Sequence, residues 1–271
     1  MNTSDLKLNE PDYILMKGQP KTGKSIAAHS YQVEPCDMYP SGLKDTYTLS
    51  FDHRMQSIKS FYPNRNFEYD EYSTPLETNR RLDALKSVTP GRMPYGAVIF
   101  DGLTKYSNII MEAMIAHRLP NQKSDSKTIR AGIPMAEIED YGGEFRALTM
   151  ALNSLLAIHV IHKIHVILIA HVIETEYKNM VNNTTRVTRE LLTAGKKIAA
   201  SLPTDFNEAY HFYAQSDPMS PDDKPVFKAV TTCNSIDWAA TVKKLPASID
   251  WTNKNFYSEI RKCLAGNALF T

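Results

Sequence analysis

Apolar and polar positions fall in blocks along this chain, and the period changes from block to block. Residues 13–17 (YILMK) form a short apolar run that meets a Gly/Pro/Lys loop and then residues 25–31, which predicts strand, loop and helix. Comparable runs predict strands at 46–51, 95–100 and 164–170, and helical spacing predicts helices over 78–87, 107–117 and 137–162. Strands that alternate with helices in this order predict a parallel α/β sheet. Beyond residue 170 the pattern changes: 174–188 is polar and turn-rich, and short β-like runs at 209–213 and 225–231 precede a terminal helix near 256–264. These later strands are expected to add antiparallel to a sheet edge. Two stretches, 119–134 and 177–189, carry turn formers without periodicity and are expected to be mobile loops. With no internal repeat or low-complexity tract, residues 1–271 are expected to form a single domain, with a core over about 11–215 and an extension over about 216–271.

The block that carries the clearest chemistry is Gly18-Gln19-Pro20-Lys21-Thr22-Gly23-Lys24-Ser25, a full match to G-x-x-x-x-G-K-[ST] between a predicted strand and a predicted helix. Glycines let backbone N–H groups turn inward around phosphate oxygens, and the helix start adds positive potential. Lys24 is expected to reach the β and γ phosphates, Ser25 to supply a hydroxyl to Mg²⁺, and Ile26 to close the loop. A nucleoside triphosphate, with ATP as the expected base form, is the natural ligand.

A second carboxylate must help hold the metal. Ala97-Val98-Ile99-Phe100-Asp101 is an apolar strand ending in an acid, so Asp101 is the expected metal-side residue, although Asp-Gly also makes ordinary turns. Asp52, after the second strand, is expected to orient the attacking water; capping the next helix is the plainer role for it. His53 is a weaker candidate for the same task. His171, which follows the run 164–170, is placed to sense a γ-phosphate.

Composition then acts by exclusion. Hydrophobic residues make up 42% and charged residues 23%, enough for a sizeable core. The longest apolar run, 164–169, is far short of the roughly 18 residues of a membrane span, and the N-terminus lacks a signal-peptide pattern. A soluble cytoplasmic protein with no membrane partner is expected. Cys36, Cys233 and Cys263 form no C-x-x-C pair, which argues against a disulfide framework or a zinc-thiolate site. His159 and His162, spaced i, i+3, invite a metal reading, but no nearby acid or cysteine completes a ligand set. Net charge is +1, so any DNA contact must come from local clusters. Arg118, Lys123, Lys127 and Arg130 form one cluster, and Lys178, Arg186, Arg189, Lys196 and Lys197 another. Solvated, salt-bridged surface is the bland alternative for both.

Taken together, the P-loop, Asp52, the AVIFDGLT segment and ILIAHVIET resemble the RecA-like P-loop ATPases of bacteriophages, a group that includes single-strand-annealing proteins with a RecA core. The resemblance runs on through LTAGKKIAASLPTDF and Asn207-Glu208-Ala209-Tyr210 to Lys243, Leu245-Pro246 and Ile249-Asp250. It departs from the family where a glutamate often follows strand two, and in a loose Lys/Arg motif around Lys243. The resemblance implies a RecA-like fold with antiparallel C-terminal strands, a ring or filament of identical subunits, and ATP-dependent action on single-stranded DNA in the host cytoplasm. A P-loop kinase of small molecules or nucleosides, and a nucleotide-dependent assembly or packaging factor, are the competing readings.

Overall fold

The computed structural model is described over residues 11–31, 45–119, 129–130, 133–179, 184–195, 202–216, 225–233 and 239–267. Its elements in chain order are β1 (Tyr13–Gly18), α1 (Lys24–His29), β2 (Thr46–Ser50), α2 (Met55–Phe61), β3 (Glu68–Glu71), α3 (Pro75–Lys86), β4 (Ala97–Asp101) and α4 (Leu103–Arg118). There follow β5 (Ile129–Arg130), β6 (Ile133–Pro134), α5 (Ile138–His162), β7 (His165–Asn179), β8 (Thr184–Leu191), a 3₁₀ turn at Leu202–Asp205 and β9 (Glu208–Ser216). The chain ends with β10 (Pro225–Val230), β11 (Ala240–Thr241), β12 (Ser248–Asp250) and α6 (Phe256–Asn267).

Among the described residues ten strands share one sheet, ordered β12-β10-β9-β1-β7-β4-β2-β3, with β11 on β9 and β8 on β7. The six strands from β9 to β3 run parallel, while β8, β10, β11 and β12 join antiparallel. The fold is therefore α/β with a mostly parallel mixed sheet.

β1, β4 and the first part of β7 are apolar on both faces because each face meets helices. Tyr13, Leu15, Val98, Phe100, Val166 and Leu168 pack with Leu82 of α3, Tyr106 and Ile110 of α4, and Leu148 and Leu155 of α5. The alternate residues Ile14, Met16, Ala97, Ile99, Ile167 and Ile169 pack with Ala27 and Ala28 of α1 and with Phe256, Tyr257 and Ile260 of α6. The C-terminal extension thus supplies Ala229, Ile249, Trp251, Phe256, Tyr257 and Ile260 to this core layer, more than the edge addition its sequence predicts. α5 is long and apolar enough, by length and composition, to cross a membrane. It lies against α3, α4 and β7, with Leu148, Leu152, Leu155 and Ile158 buried.

Three elements differ from expectation. α2 and β3 were not anticipated, being 7 and 4 residues long, and all four residues of β3 are exposed at the sheet edge. The expected loop at 177–189 is largely strand: β7 and β8 form an antiparallel hairpin from Val172↔Leu191 to Asn179↔Thr184. Its return strand, with Thr184, Thr185, Val187 and Thr188, has β-branched residues suited to a ladder, yet too few apolar ones to register as a buried strand. Of the other expected loop, 119–134, the described part contains the two-residue pair β5–β6.

Candidate active site

The loop after β1 is shaped by two glycines. A Cβ on Gly18 would lie 2.2 Å from the Phe212 carbonyl oxygen on β9. Gly23 has φ +83°, and a Cβ there would lie 2.6 Å from the Trp251 ring. Only glycine combines that conformation with such close approach. Thr22 Oγ1 donates to the Gln19 carbonyl at 2.8 Å and tightens the turn. α1 has only six residues, so its dipole is a small contributor and Lys24 is the main positive charge.

Lys24 is 4% exposed, and its Nζ donates to the carbonyls of Gly18 at 2.9 Å and Gln19 at 2.7 Å. Burial lowers its pKa to about 8, against the raising effect of Asp101 and Asp52 and with a further lowering by Arg54. Gly18 and Gln19 thus face the site through their carbonyls. Lys21 to Ile26 line the cleft itself, and Pro20 sits exposed at the crest of the loop.

Strand register sets the acids opposite this loop. Gly18 pairs with His171, Asp101 with Ile169, and Ser50 with Asp101, so the C-terminal ends of β1, β4 and β2 lie level with the middle of β7. That is the edge of an open parallel sheet where ligands bind. Asp101 is 5% exposed and is the last residue of β4. Gly102, at φ +114°, then turns the chain directly into α4, so the strand-end acid and the Asp-Gly turn coexist. Burial raises the Asp101 pKa to about 6, opposed first by a hydrogen bond from the Ser25 side chain. A hydroxyl and a carboxylate already in contact are hard oxygen donors of the kind Mg²⁺ prefers, so these residues fit the ion the motif implies.

Asp52 Oδ2 lies 3.7 Å from Nε2 of His171, within ion-pair range. His171 is the largest influence holding the Asp52 carboxyl below its ordinary range. His53, at φ +51°, instead meets Glu71 at 2.9 Å on the exposed rim. The cleft holds about 250 Å³ and is also lined by Arg54, Ser57 and Ile58 of the α2 region and by Phe227 of β10. Sequence reasoning missed these. Arg54 follows Asp52 by two positions and was open to the same strand-end argument; nothing in the sequence pattern announced Phe227.

The remaining candidates disperse. His159 Nδ1 lies 2.9 Å from the Ile164 carbonyl, and His162 Nε2 lies 3.0 Å from the Leu85 carbonyl, at the C-terminal turn of α5. No group of three His, Cys, Asp or Glu side chains that could hold a metal occurs among the described residues. Arg118 is bound to Asp140 at 2.9 Å and to Glu137 at 3.2 Å, and Arg189 to Glu174 at 2.7 Å, so both are engaged within the fold. Lys123, Lys127, Lys196 and Lys197, and the side chains of Arg130, Lys178 and Arg186, lie outside what is described. Lys243 lies at the opposite, N-terminal edge of the sheet, where its ammonium bonds the buried Asp12 carboxylate. No protein-family model matches the chain, and no curated protein matches it.

Proposed function

We propose that the chain is a Mg²⁺-dependent P-loop ATPase of RecA-like type that acts on single-stranded DNA, in recombination, annealing or replication, as a homo-oligomer in the cytoplasm. The observation that carries the reading is the meeting of Lys24, the Ser25–Asp101 contact and the Asp52–His171 pair in one cleft. β7 stands between the P-loop strand and the Asp101 strand, so His171, in register with Gly18, lies beside the proposed phosphate site.

Lys24 exchanges its two loop carbonyls for β and γ phosphate oxygens, a small movement because donor and loop are already adjacent. Ser25 and Asp101 would hold Mg²⁺, which when bound neutralises charge on the phosphates. Asp52 is kept ionised by His171 and is too weak a base to remove a proton early, so it orients the attacking water by accepting its hydrogen bond. Arg54 places a cation near Lys24 and Asp52, where charge builds in the transition state.

The β7–β8 hairpin begins at this site and extends beyond the sheet. Glu174 and Glu190 lie toward the stem with Arg189, Glu176 lies midway, and Lys178 and Arg186 occupy the distal part, a distribution suited to a phosphate backbone at the tip. Repetition in an oligomer multiplies such weak contacts. The test is ATP hydrolysis by the wild type and Lys24→Ala, with and without single-stranded DNA at low salt. Stimulation by DNA that disappears in the variant supports the reading. Hydrolysis indifferent to DNA removes the DNA-activated function and favours a kinase or an assembly switch.

A further inference from the structure

The cleft has two chemically different ends. Asp101, Asp52, His171 and Arg54 gather by the ends of β4 and β2 and the middle of β7, whereas Phe227 comes from β10, across β1 and β9 from them. Phe227 is half-buried. Its ring lies 5.5 Å from the buried Trp251 ring at a tilt of 42°. Trp251 is wedged in turn against Phe212 and Phe256, and the rings of Trp251 and Phe227 abut Gly23 of the phosphate loop.

The backbone holds this ring in place. The Phe227 amide donates to Thr252 Oγ1 at 2.8 Å, and its carbonyl accepts from the Trp251 amide at 3.1 Å. A ring fixed at both of its backbone polar groups, with one part facing a cleft, forms a preorganised apolar surface. A nucleoside triphosphate carries its charge at one end and a flat, weakly polar ring at the other. If its phosphates lie over Lys24 toward Asp101, its base points away from the acids.

We propose that Phe227, backed by Trp251, is the seat of the nucleotide base, so that the C-terminal extension confers selectivity for nucleotides over bare polyphosphate. This rests on the phosphate-binding reading of Gly18 to Ser25. Stacking of this kind tolerates different bases, because every base has a π-face. The bland alternative is that Phe227 only braces Trp251 and Gly23.

The experiment compares dissociation constants for ATP and inorganic tripolyphosphate, each with Mg²⁺, by calorimetry, in the wild type, Phe227→Ala, Phe227→Tyr and Lys24→Ala. Phe227→Ala is expected to weaken ATP by roughly tenfold or more and to leave tripolyphosphate within about twofold, with Phe227→Tyr retaining ATP. Lys24→Ala is expected to weaken both ligands. Equal loss of both ligands in Phe227→Ala identifies a brace and overturns the proposal, as does loss of neither. Strong tripolyphosphate binding together with an ATP affinity insensitive to residue 227 overturns the base seat while sparing the phosphate site. A wild type that binds neither ligand overturns both.

Discussion

The backbone amide of His171 donates to the hydroxyl of Thr104 at 3.3 Å, and that hydroxyl donates to the carbonyl of Leu192 at 2.7 Å. Leu192 closes the loop by donating its amide to the His171 carbonyl at 2.9 Å. One side chain in the first turn of α4 therefore fastens both ends of the hairpin, beside the residue that contacts Asp52. The position of the hairpin and the position of His171 are mechanically linked through Thr104.

Thr104→Val keeps the shape of the side chain and removes both bonds. Amide exchange across residues 172–191 is expected to rise, and DNA stimulation of hydrolysis to fall by at least about half, with nucleotide affinity within about twofold. Unchanged exchange and unchanged stimulation would show that Thr104 does not couple the two.

Lys24 offers a pH test. Its pKa, lowered to about 8 by burial, means that charge is lost as pH rises through that value, whereas a bound polyanion favours the charged form. ATP affinity is expected to fall about tenfold between pH 7 and pH 9 relative to Lys24→Arg, whose charge persists throughout. Parallel pH profiles for the two proteins would exclude Lys24 as the titrating group.

Asp101 trades stability for function. Its folded pKa of about 6 exceeds the ordinary 3.8, so the native state binds the proton more tightly and stability falls as pH rises from about 4 to about 6. Asp101→Asn is expected to gain roughly 2–3 kcal/mol at pH 8, to gain nothing near pH 3, and to lose Mg²⁺-dependent hydrolysis. Denaturant melts at the two pH values measure the gain. A destabilised variant at pH 8 would contradict the burial argument. In the wild type, the same pKa predicts that Mg²⁺ affinity rises with pH through about 6 and is level above it.

How far the sequence could be read follows from where each element finds its partners. β1, β4 and residues 165–170 of β7 are buried on both faces, and their apolar runs are visible without knowing the neighbours. Gly18 to Ser25 is likewise local, because its geometry is set by glycines within the segment. The hairpin escaped notice because a ladder of backbone hydrogen bonds holds it, and that leaves no hydrophobic period to detect. The pairing of Asp52 with His171 depends on the register of three strands, β2, β4 and β7, which strand-end reasoning anticipates only in outline. Phe227 and Trp251 reach Gly23 because β10 pairs with its neighbour β9 and β9 pairs with β1, a relation between segments about two hundred residues apart that no local pattern encodes.

Lys243 tests the resemblance most directly, since it stands in the loosely matched Lys/Arg motif and the fold buries its side chain far from the cleft. Its ammonium holds Asp12, whose pKa is raised by burial and lowered in part by this lysine. His165, beside them, accepts from the Asp12 amide at 3.0 Å through Nδ1 and is kept neutral by burial, so it supplies no replacement charge. Lys243→Met leaves a buried carboxylate unpaired and is expected to cost about 3–5 kcal/mol at pH 8. Without the lysine, Asp12 takes up a proton more readily, so the loss shrinks as pH falls. Asp12→Asn combined with Lys243→Met is expected to recover much of the stability, and hydrolysis per folded molecule to stay within about twofold. Thermal melts at two pH values and a rate assay on the folded fraction decide the matter. Loss of hydrolysis with an unchanged melting temperature would return Lys243 to the chemistry, acting from one subunit on the nucleotide of the next.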